Sequence, residues 1–321
     1  MARLLVTGGS GFIGTNLIAS CLEDGWEIMN YDCTPPRNTQ HGRFFRNGEI
    51  LDGNDLTAAV RDFRPEFVVH LAARTDLDGP TLADYSANTA GAHNMVAAIR
   101  AVGTVRRAVF ASSRYVHKTG VFPRREDAYS PFTKYGESKV EVERIVRTSG
   151  LEIPWVLVRP TSIWGPWFRI PYRMFFDTVR RGVYVHPKGR RISKSYGYVG
   201  NVVYQIRKFL SVDESKVNKR TFYVSDDGNM DVLEFARLIQ KAFGAPPVRE
   251  APLSVLKALA YSGDLLKKLG VSNPPLTSFR LGNLLTPMDY DMSATIEAVG
   301  HAPYSLEQGV RATVDWILQH G

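Results

Sequence analysis

The sequence predicts an α/β protein whose core is a doubly wound parallel sheet. Three observations support this fold class. A glycine cluster at residues 7–14 lies between an apolar run and a segment with helical apolar spacing. Short apolar runs then alternate with longer amphipathic segments over the first half of the chain. One of these runs, Phe67–Leu71, suits a strand that is covered on both faces, as the strands of parallel sheets are.

The individual elements follow in order along the first 160 residues. Arg3–Val6 predicts a strand that leads into the glycine cluster, and Asn16–Leu22 predicts the helix after it. The next strand, Glu27–Tyr31, ends on Asp32. The alternation continues through a strand (67–71), a helix (83–101), a strand (108–111), a helix (134–149) and a strand (155–158). Strands that alternate with helices in this way form parallel sheets.

After Pro160 the alternation weakens, because Gly165-Pro166, Pro187 and Gly189 divide the chain into short pieces. Helices are expected there over residues 230–243, 253–269 and 306–319. We therefore expect two domains. Residues 1–164 form the parallel-sheet domain, and residues 165–321 form mainly a smaller mixed α/β domain, some of whose segments return to the first core.

Composition and charge exclude several classes of protein. Neither a long apolar run nor a signal-peptide pattern occurs, which predicts a cytoplasmic protein without an integral membrane segment. Two cysteines make neither a disulfide framework nor a metal site. The net charge is +8, and residues 101–200 hold 19 Lys and Arg against 7 Asp and Glu. Because no nucleic-acid-binding module accompanies this charge, a small phosphorylated ligand is the better interpretation.

The glycine cluster has the spacing of a dinucleotide-binding loop. Gly8, Gly11 and Gly14 allow the backbone to approach a pyrophosphate, and the amides of Phe12 and Ile13 begin the following helix. An ordinary tight turn is the alternative interpretation. The preceding strand, the following helix and an acidic residue 18 positions beyond Gly14 favour the dinucleotide site.

That acidic residue, Asp32, favours NAD over NADP, because its charge would repel a 2′-phosphate. Arg37 complicates this prediction, since its guanidinium is a potential phosphate partner; the alternative is a solvated loop arginine. Glu49 and Ile50 are placed to border the adenine, although Glu49 equally suits a surface position.

A catalytic group is predicted from Tyr135, Lys139 and Ser113. Tyr135 and Lys139 lie four residues apart on one face of a helix. A neighbouring ammonium, together with a nicotinamide cation, would lower the phenol pKa and make Tyr135 a usable acid or base. Ser113 follows a strand and can hold the substrate oxygen that Tyr135 protonates. A surface pair on a helix is the alternative interpretation of Tyr135 and Lys139.

These motifs resemble those of the extended short-chain dehydrogenases/reductases, in the branch of nucleotide-sugar epimerases, dehydratases and reductases. The resemblance includes the sequence Arg159–Pro166 and resumes near the C-terminus at Tyr290–Thr295 and Ser305–Gly309. It implies a Rossmann-type NAD-binding domain in residues 1–164 and a nucleotide-sugar domain after it. It also implies further cofactor contacts from residues at the ends of two strands or on the helix after the first of them: Leu71, Ala72, Ala73, Pro160 and Asn88.

The same resemblance implies the substrate contacts. Lys194 and Tyr196 correspond to a basic residue and an aromatic that bind pyrophosphate and ribose, and Arg280 corresponds to a later arginine on the pyrophosphate. Residues 165–200 hold eight basic residues and one acid, which suits a diphosphate, although a solvated basic face is the alternative. The remaining candidates for sugar or diphosphate contacts are Thr75, Arg114, Tyr115 and Ser162.

Departures from the family pattern limit the reaction. Arg114 and Tyr115 follow Ser113 where the dehydratases of this family have Asp-Glu, so elimination of water lacks its general acid. A 4-epimerase or a 4-ketoreductase is therefore expected rather than a 4,6-dehydratase. Ser162 stands where asparagine is usual, which weakens the assignment of substrate contacts.

Two other classes stay open. Leu253–Leu269 predicts an amphipathic helix, and such a helix accompanies lipid-like substrates in the related 3β-hydroxysteroid dehydrogenases; an ordinary helix packed on its own domain is the alternative. A dinucleotide sensor without activity is the second alternative, but it would not need Ser113, Tyr135 and Lys139 together. A homodimer joined through the Tyr135 helix is implied by the resemblance alone.

Overall fold

The computed structural model describes residues 2–121, 125–170, 172–271, 274 and 276–320. Within them the strands are β1 Arg3–Thr7, β2 Glu27–Asp32, β3 Phe45–Asn47, β4 Phe67–His70, β5 Arg107–Ala111, β6 Trp155–Pro160, β7 Ser162–Trp164, β8 Val185–Pro187, β9 Ser193–Lys194, β10 Tyr196–Tyr198, β11 Arg220–Val224, β12 Met230–Asp231 and β13 Arg249–Ala251. The helices are α1 Phe12–Glu23, α2 Gly53–Phe63, α3 Ser86–Val102, α4 Lys134–Thr148, α5 Arg173–Arg180, α6 Val199–Ser211, α7 Val232–Phe243, α8 Leu253–Lys268, α9 Ser278–Leu285, α10 Ser293–Val299 and α11 Leu306–His320.

A seven-stranded sheet in the order β3-β2-β1-β4-β5-β6-β11 forms the centre of the molecule. Every neighbouring pair in it is parallel. This arrangement confirms the predicted fold class. The strand order reverses between β1 and β4, and at such a point the loops after the two strands separate and leave a crevice for a ligand.

The central strands of this sheet, such as β1 and β4, are buried on both faces, because alternate side chains belong to different core clusters. Leu5 and Val68 pack with residues of α2, α3 and α4. Leu4 and Val69 pack on the opposite side with residues of α1 and α6. The absence of a polar face explains why the strands appear in the sequence as short continuous apolar runs.

The second half of the chain packs around an aromatic core. Trp164, at the end of β7, lies 4.9 Å from Phe235 of α7 and 5.7 Å from Phe176 of α5, measured between ring centroids. Three two-stranded pairs, β7–β10, β8–β13 and β9–β12, surround this core. In the described part of the chain, no helix combines the length and the hydropathy needed to cross a bilayer.

Several elements were not predicted. β11 pairs with β6, and α6 packs against α1, so part of the second half of the chain completes the sheet and its cover. α2 was not predicted, since only Leu56, Ala59 and Val60 are buried and its apolar pattern in the sequence is short. α3 begins at Ser86 rather than at residue 83, because the three residues before it form a 3-10 turn. The division between residues 1–164 and 165–321 stays a prediction.

Candidate active site

The glycine cluster lines the crevice between the ends of β1 and β4. Gly8 has a φ of 72°, which favours glycine, and a Cβ there would lie 2.5 Å from the backbone nitrogen of Ala72. A Cβ on Gly14 would lie 2.5 Å from the carbonyl oxygen of Gly8. The loop, the start of α1 and the segment after β4 therefore pack more closely than any side chain would permit.

The N-terminus of α1 is open toward a ligand. Gly11 caps the helix without a side-chain hydrogen bond, and the first turn contains no acidic residue. The amides of the first turn carry the partial positive charge of the helix, and an anion is the partner that satisfies them. Phe12 and Ile13 supply two of these amides. This cradle fits the pyrophosphate of a dinucleotide.

Asp32 ends β2 beside the glycine loop. Its carboxylate accepts hydrogen bonds from the backbone amide of Ser10 at 3.0 Å and from the amide and hydroxyl of Thr34, each at 3.0 Å. Arg37 is not a solvated arginine, because it donates to the carbonyl of Trp167 at 2.6 Å and burial lowers the pKa of its guanidinium.

The predicted adenine contacts differ in burial. Ile50 is buried, and Asn94 donates to its carbonyl at 2.9 Å, whereas Glu49 is exposed. A Cβ on Gly91 would lie 2.9 Å from the Ile50 side chain, so α3 packs directly against this residue.

The segment after β4 lines the same crevice. Leu71, Ala72 and Ala73 are partly buried, and the amide of Ala72 donates to the Thr7 hydroxyl at 3.4 Å. His70 lies 2.8 Å from that hydroxyl, and burial lowers the pKa of its imidazole to about 3. A neutral histidine therefore connects β1 and β4 beneath the crevice.

Asn88 links the loop after β4 to helix α4 through side-chain hydrogen bonds. Its side-chain oxygen accepts from the amide of Arg74 at 2.8 Å, and its nitrogen donates to the carbonyl of Arg74 and to the hydroxyl of Ser138. It therefore attaches the loop after β4 to α4. Thr75, next to Arg74, is exposed.

Ser113, Tyr135 and Lys139 converge at the carboxyl edge of β5, as predicted from their positions. Ser113 caps the 3-10 turn after β5, and its hydroxyl accepts from the amide of Tyr115 at 3.2 Å. It lies close enough to Tyr135 to oppose the rise that burial gives to the pKa of the phenol. Lys139 lies one turn further along α4, with Nζ 5.9 Å from the centroid of the Tyr135 ring. A Cβ on Gly136 would lie 2.3 Å from the carbonyl of Tyr115, so this glycine allows α4 to approach the turn that carries Ser113.

Burial controls the protonation of this group. In the protein alone, burial raises the pKa of the Tyr135 phenol, which is opposite to the lowering expected when a cofactor is bound. Burial lowers the pKa of the Lys139 ammonium to about 8. The Lys139 ammonium donates to the carbonyl of Ala111 at 3.0 Å. Without a bound cofactor, the Tyr135 phenol is therefore neutral at neutral pH.

A buried ion pair behind the catalytic group was missed in the sequence. Glu143 and Arg159 lie 2.7 Å apart, and Glu143 also accepts hydrogen bonds from Ser112 and Tyr129. His117 contacts Arg159 at 3.2 Å, and burial lowers its pKa to about 4. The signal for this network was present, since Glu143 lies one further helical turn beyond Lys139.

Arg114 and Tyr115 lie beside the catalytic group. Arg114 is only 7% exposed, its guanidinium lies 4.3 Å from the Tyr115 ring, and its Nε is buried without a hydrogen-bond partner. The tyrosines that act on this guanidinium are Tyr115, Tyr290 and Tyr172, and no carboxylate of the described chain pairs with it. The Tyr115 ring lies 5.8 Å from the Tyr135 ring.

The structure places the other predicted substrate residues at different depths. Lys194 is fully buried, and its ammonium donates to the carbonyls of Asn283 and Thr286 at the end of α9. Tyr196 packs its ring against Phe235. Ser162 is buried in β7 near Tyr172, and Arg280 donates to the carbonyl of Pro274 at 2.6 Å. Pro160, a predicted cofactor contact, ends β6.

Comparison with known proteins provides the family. The chain is 28% identical to a 3-beta-hydroxysteroid dehydrogenase of Mycolicibacterium neoaurum, over 97% of this chain and 90% of that protein. It is 27% identical to the N-acetyl-alpha-D-glucosaminyl-diphospho-ditrans,octacis-undecaprenol 4-epimerase of Escherichia coli, over 99% and 96%. A crystal structure of the Thermus thermophilus UDP-glucose 4-epimerase in complex with NAD superimposes with a TM-score of 0.73 at 23% identity, covering 99% and 100%.

A model of the NAD dependent epimerase/dehydratase family matches residues 4–221, well over half of the chain. This match confirms the predicted relationship, and with it an enzyme and NAD as its cofactor at the level of the family. The glycine cradle and the Ser113, Tyr135 and Lys139 group both lie within the matched residues. The chain belongs to the NAD dependent epimerase/dehydratase family.

Proposed function

We propose that this protein is an NAD(H)-dependent oxidoreductase or epimerase that acts at a carbinol carbon, C4, of a nucleotide-diphosphate sugar. The observation that carries this proposal is the position of Ser113 beside Tyr135, with Lys139 one turn away, at the carboxyl edge of the sheet. Hydroxyls at this edge meet ligands in doubly wound folds. The group lies in the same crevice system as the glycine cradle.

The residues of the crevice fit NAD. Gly8, Gly11 and Gly14 leave room for the pyrophosphate against the α1 amides, and Asp32 is placed for the adenosine ribose. When bound, the nicotinamide accepts or supplies a hydride, which is the redox chemistry that no side chain provides.

The protein supplies proton transfer and positioning. Tyr135 takes the proton of the carbinol oxygen on oxidation and returns it on reduction, while Ser113 hydrogen-bonds the same oxygen. Lys139 stabilises the phenolate by its charge, because its ammonium, with a pKa of about 8, is charged at neutral pH. Its bond to Ala111 fixes the ammonium relative to β5.

The surroundings of Tyr135 support epimerisation or keto-reduction rather than dehydration. The groups that act on its phenol are Ser113, Tyr172, Tyr115 and Arg114, none of which is a carboxylate. Glu143 is fully engaged with Arg159 and its other hydrogen-bond donors. Elimination of water needs a general acid at the neighbouring carbon, and this set does not include one.

The charge of Arg114 supports an anionic substrate. A buried guanidinium without a carboxylate partner is costly, and an anion that enters the site offsets that cost. The diphosphate-linked sugar of the Escherichia coli relative and the UDP-glucose of the Thermus relative have this chemistry. Lys194 can bind the substrate only if its ammonium gives up its hydrogen bonds to Asn283 and Thr286 and donates to the ligand instead.

A second candidate is a dehydrogenase of a non-nucleotide alcohol such as a steroid. It is favoured by the apolar outer face of α8, where Leu265 and Leu269 are 59% and 73% exposed, and by the similarity to the Mycolicibacterium enzyme. A steroid offers no anion to Arg114, so we rank this function second.

Ligand-dependent thermal stability distinguishes the two candidates. The protein with NADH is titrated with UDP-, GDP-, dTDP- and CDP-sugars and, separately, with a 3β-hydroxysteroid. We expect the melting temperature to rise with the concentration of at least one nucleotide sugar. A rise with the steroid alone would replace the first candidate by the second. Retention of NAD without net consumption then identifies an epimerase, and stoichiometric NADH oxidation by a 4-keto sugar identifies a reductase.

A further inference from the structure

The outer face of α8 is an apolar surface that the described residues leave exposed. We define the α8 apolar face as the exposed large side chains Val255, Leu259, Tyr261, Leu265, Leu266 and Leu269, which are 43–73% exposed. Large apolar side chains scattered singly over a surface are ordinary, but a contiguous group marks an interaction site.

The geometry of α8 makes the group contiguous. At about 100° per residue, these six side chains fall within one arc of roughly 160°. The opposite side of the helix carries Leu256, Ala260 and Gly263, which are buried. A Cβ on Gly263 would overlap the carbonyl of Leu276, so this side is pressed against the chain that leads into α9. The apolar arc therefore points away from the protein body.

α9 extends the same surface. Phe279, in its first turn, is 74% exposed. The amide of the neighbouring Ser278 donates to the Asp264 carboxylate of α8 at 3.2 Å, which places the start of α9 beside the second half of α8. An exposed phenylalanine and an exposed leucine arc thus lie side by side.

Exposed basic residues border the α8 apolar face: Lys267 and Lys268 end the helix, and Lys257 lies on its exposed side. Near its start, the amide of exposed Lys188 donates to the carbonyl of Ala251, and the exposed acid there, Glu250, is paired with Arg237. The only acid within α8 is Asp264, whose carboxylate accepts from Ser278.

Apolar side chains bordered by cations have the chemistry of a helix that lies in the interface of an anionic bilayer. A second copy of the chain fits this surface less well. A two-fold contact places the same patch of both copies together, so the lysines that border one copy of the face would come close to those that border the other. Anionic headgroups neutralise them instead.

We propose that the outer face of α8, extended by Phe279, docks this protein on the surface of a membrane that contains anionic lipids. The inference does not depend on the reaction catalysed. α9 connects this surface to the candidate active site, because carbonyl oxygens at its end accept hydrogen bonds from Lys194. Burial and then the charge of Arg114 lower the pKa of Lys194, which places Lys194 near Arg114. Docking through α8 therefore holds the substrate side of the protein close to the bilayer.

Vesicle flotation of the full chain tests the proposal. Wild type is compared with Leu265→Ser/Leu269→Ser on vesicles of phosphatidylcholine with and without phosphatidylglycerol. The matched control is Leu318→Ser on α11, since Leu318 is 58% exposed and lies outside α8 and α9. We expect wild type and Leu318→Ser to bind the anionic vesicles, and the double variant to bind at least about tenfold more weakly, because two exposed leucines no longer enter the interface.

Charge and folding are tested in the same assay. Lys267→Glu/Lys268→Glu should lose binding to the anionic vesicles, and added salt should weaken the binding of wild type. Equal melting temperatures and equal NADH affinities of all variants show that the fold is intact. Absence of wild-type binding, equal binding of the double variant and Leu318→Ser, or equal binding to both kinds of vesicle overturns the proposal. So does a wild-type dimer that Leu265→Ser/Leu269→Ser dissociates in sedimentation, because a second copy then covers the face.

Discussion

The Nζ of Lys139 donates a hydrogen bond to the carbonyl oxygen of Ala111 at a distance of 3.0 Å. Ala111 is the last residue of β5, two positions before Ser113. This bond therefore fixes the catalytic face of α4 relative to the strand that delivers the serine. Lys139 therefore has two roles. Its ammonium places a positive charge beside Tyr135, and its hydrogen bond to Ala111 fixes the position of Tyr135 relative to Ser113.

Tyr135→Phe should lower turnover by roughly 10²–10⁴-fold, because it removes the proton donor and keeps the ring. NADH affinity should change little. Lys139→Met should lower both, since the ammonium is lost from beside the cofactor site and α4 is released from Ala111. Steady-state rates and NADH fluorescence titrations measure the two effects. Normal turnover of Tyr135→Phe would remove this residue as the acid and base.

Gly14→Ala should weaken NADH binding by at least about tenfold, because the added Cβ would lie 2.5 Å from the Gly8 carbonyl oxygen and push α1 away from the loop. Gly228→Ala is the control, since a Cβ there meets nothing within 4 Å. Fluorescence titration gives the affinities, and circular dichroism verifies that both variants are folded. An unchanged affinity of folded Gly14→Ala would place the pyrophosphate elsewhere.

Arg114→Met should raise the KM for the nucleotide sugar found in the ligand screen by at least about tenfold, with NADH affinity unchanged. The melting temperature should not fall, because the substitution removes a buried cation that has no carboxylate partner. Arg114→Lys keeps the charge and should restore part of the affinity. A lower melting temperature together with an unchanged KM would identify Arg114 as a structural residue only.

Asp226 should make stability depend on pH. Burial raises the pKa of its carboxyl to about 6 from an ordinary value of 3.8, although Asn201 and the amide of Tyr198 donate to it. Its contribution is thus fully present below pH 3.8 and is lost as the pH rises through about 6. Between about pH 4 and pH 7, the unfolding free energy of wild type should fall by roughly 2 kcal/mol relative to Asp226→Asn.

Denaturant titrations at several pH values measure this difference. The comparison between wild type and the variant isolates Asp226 from the other groups that titrate in the same range. Parallel pH profiles of the two proteins would show that the carboxyl ionises in the folded protein as easily as in the unfolded chain.

Local patterns were enough to predict the glycine cradle, Asp32 and the pairing of Tyr135 with Lys139. Each depends on residues close together in the sequence whose geometry follows from one turn or one helix. The role of Asn88 was different, because its partners Arg74 and Ser138 are 14 and 50 residues away. No local sequence spacing predicts hydrogen bonds between residues so far apart in the chain.

The sequence by itself determined the parallel sheet, the dinucleotide loop and the position of Tyr135 and Lys139 on one helical face, because periodicity, glycine geometry and helical spacing are local properties of the chain. Only the tertiary structure decided that Lys194 is buried against α9, that Arg114 lacks a carboxylate partner and that the leucines of α8 face outward. Burial and charge neutralisation depend on which distant segments pack together, and that packing is a property of the whole fold.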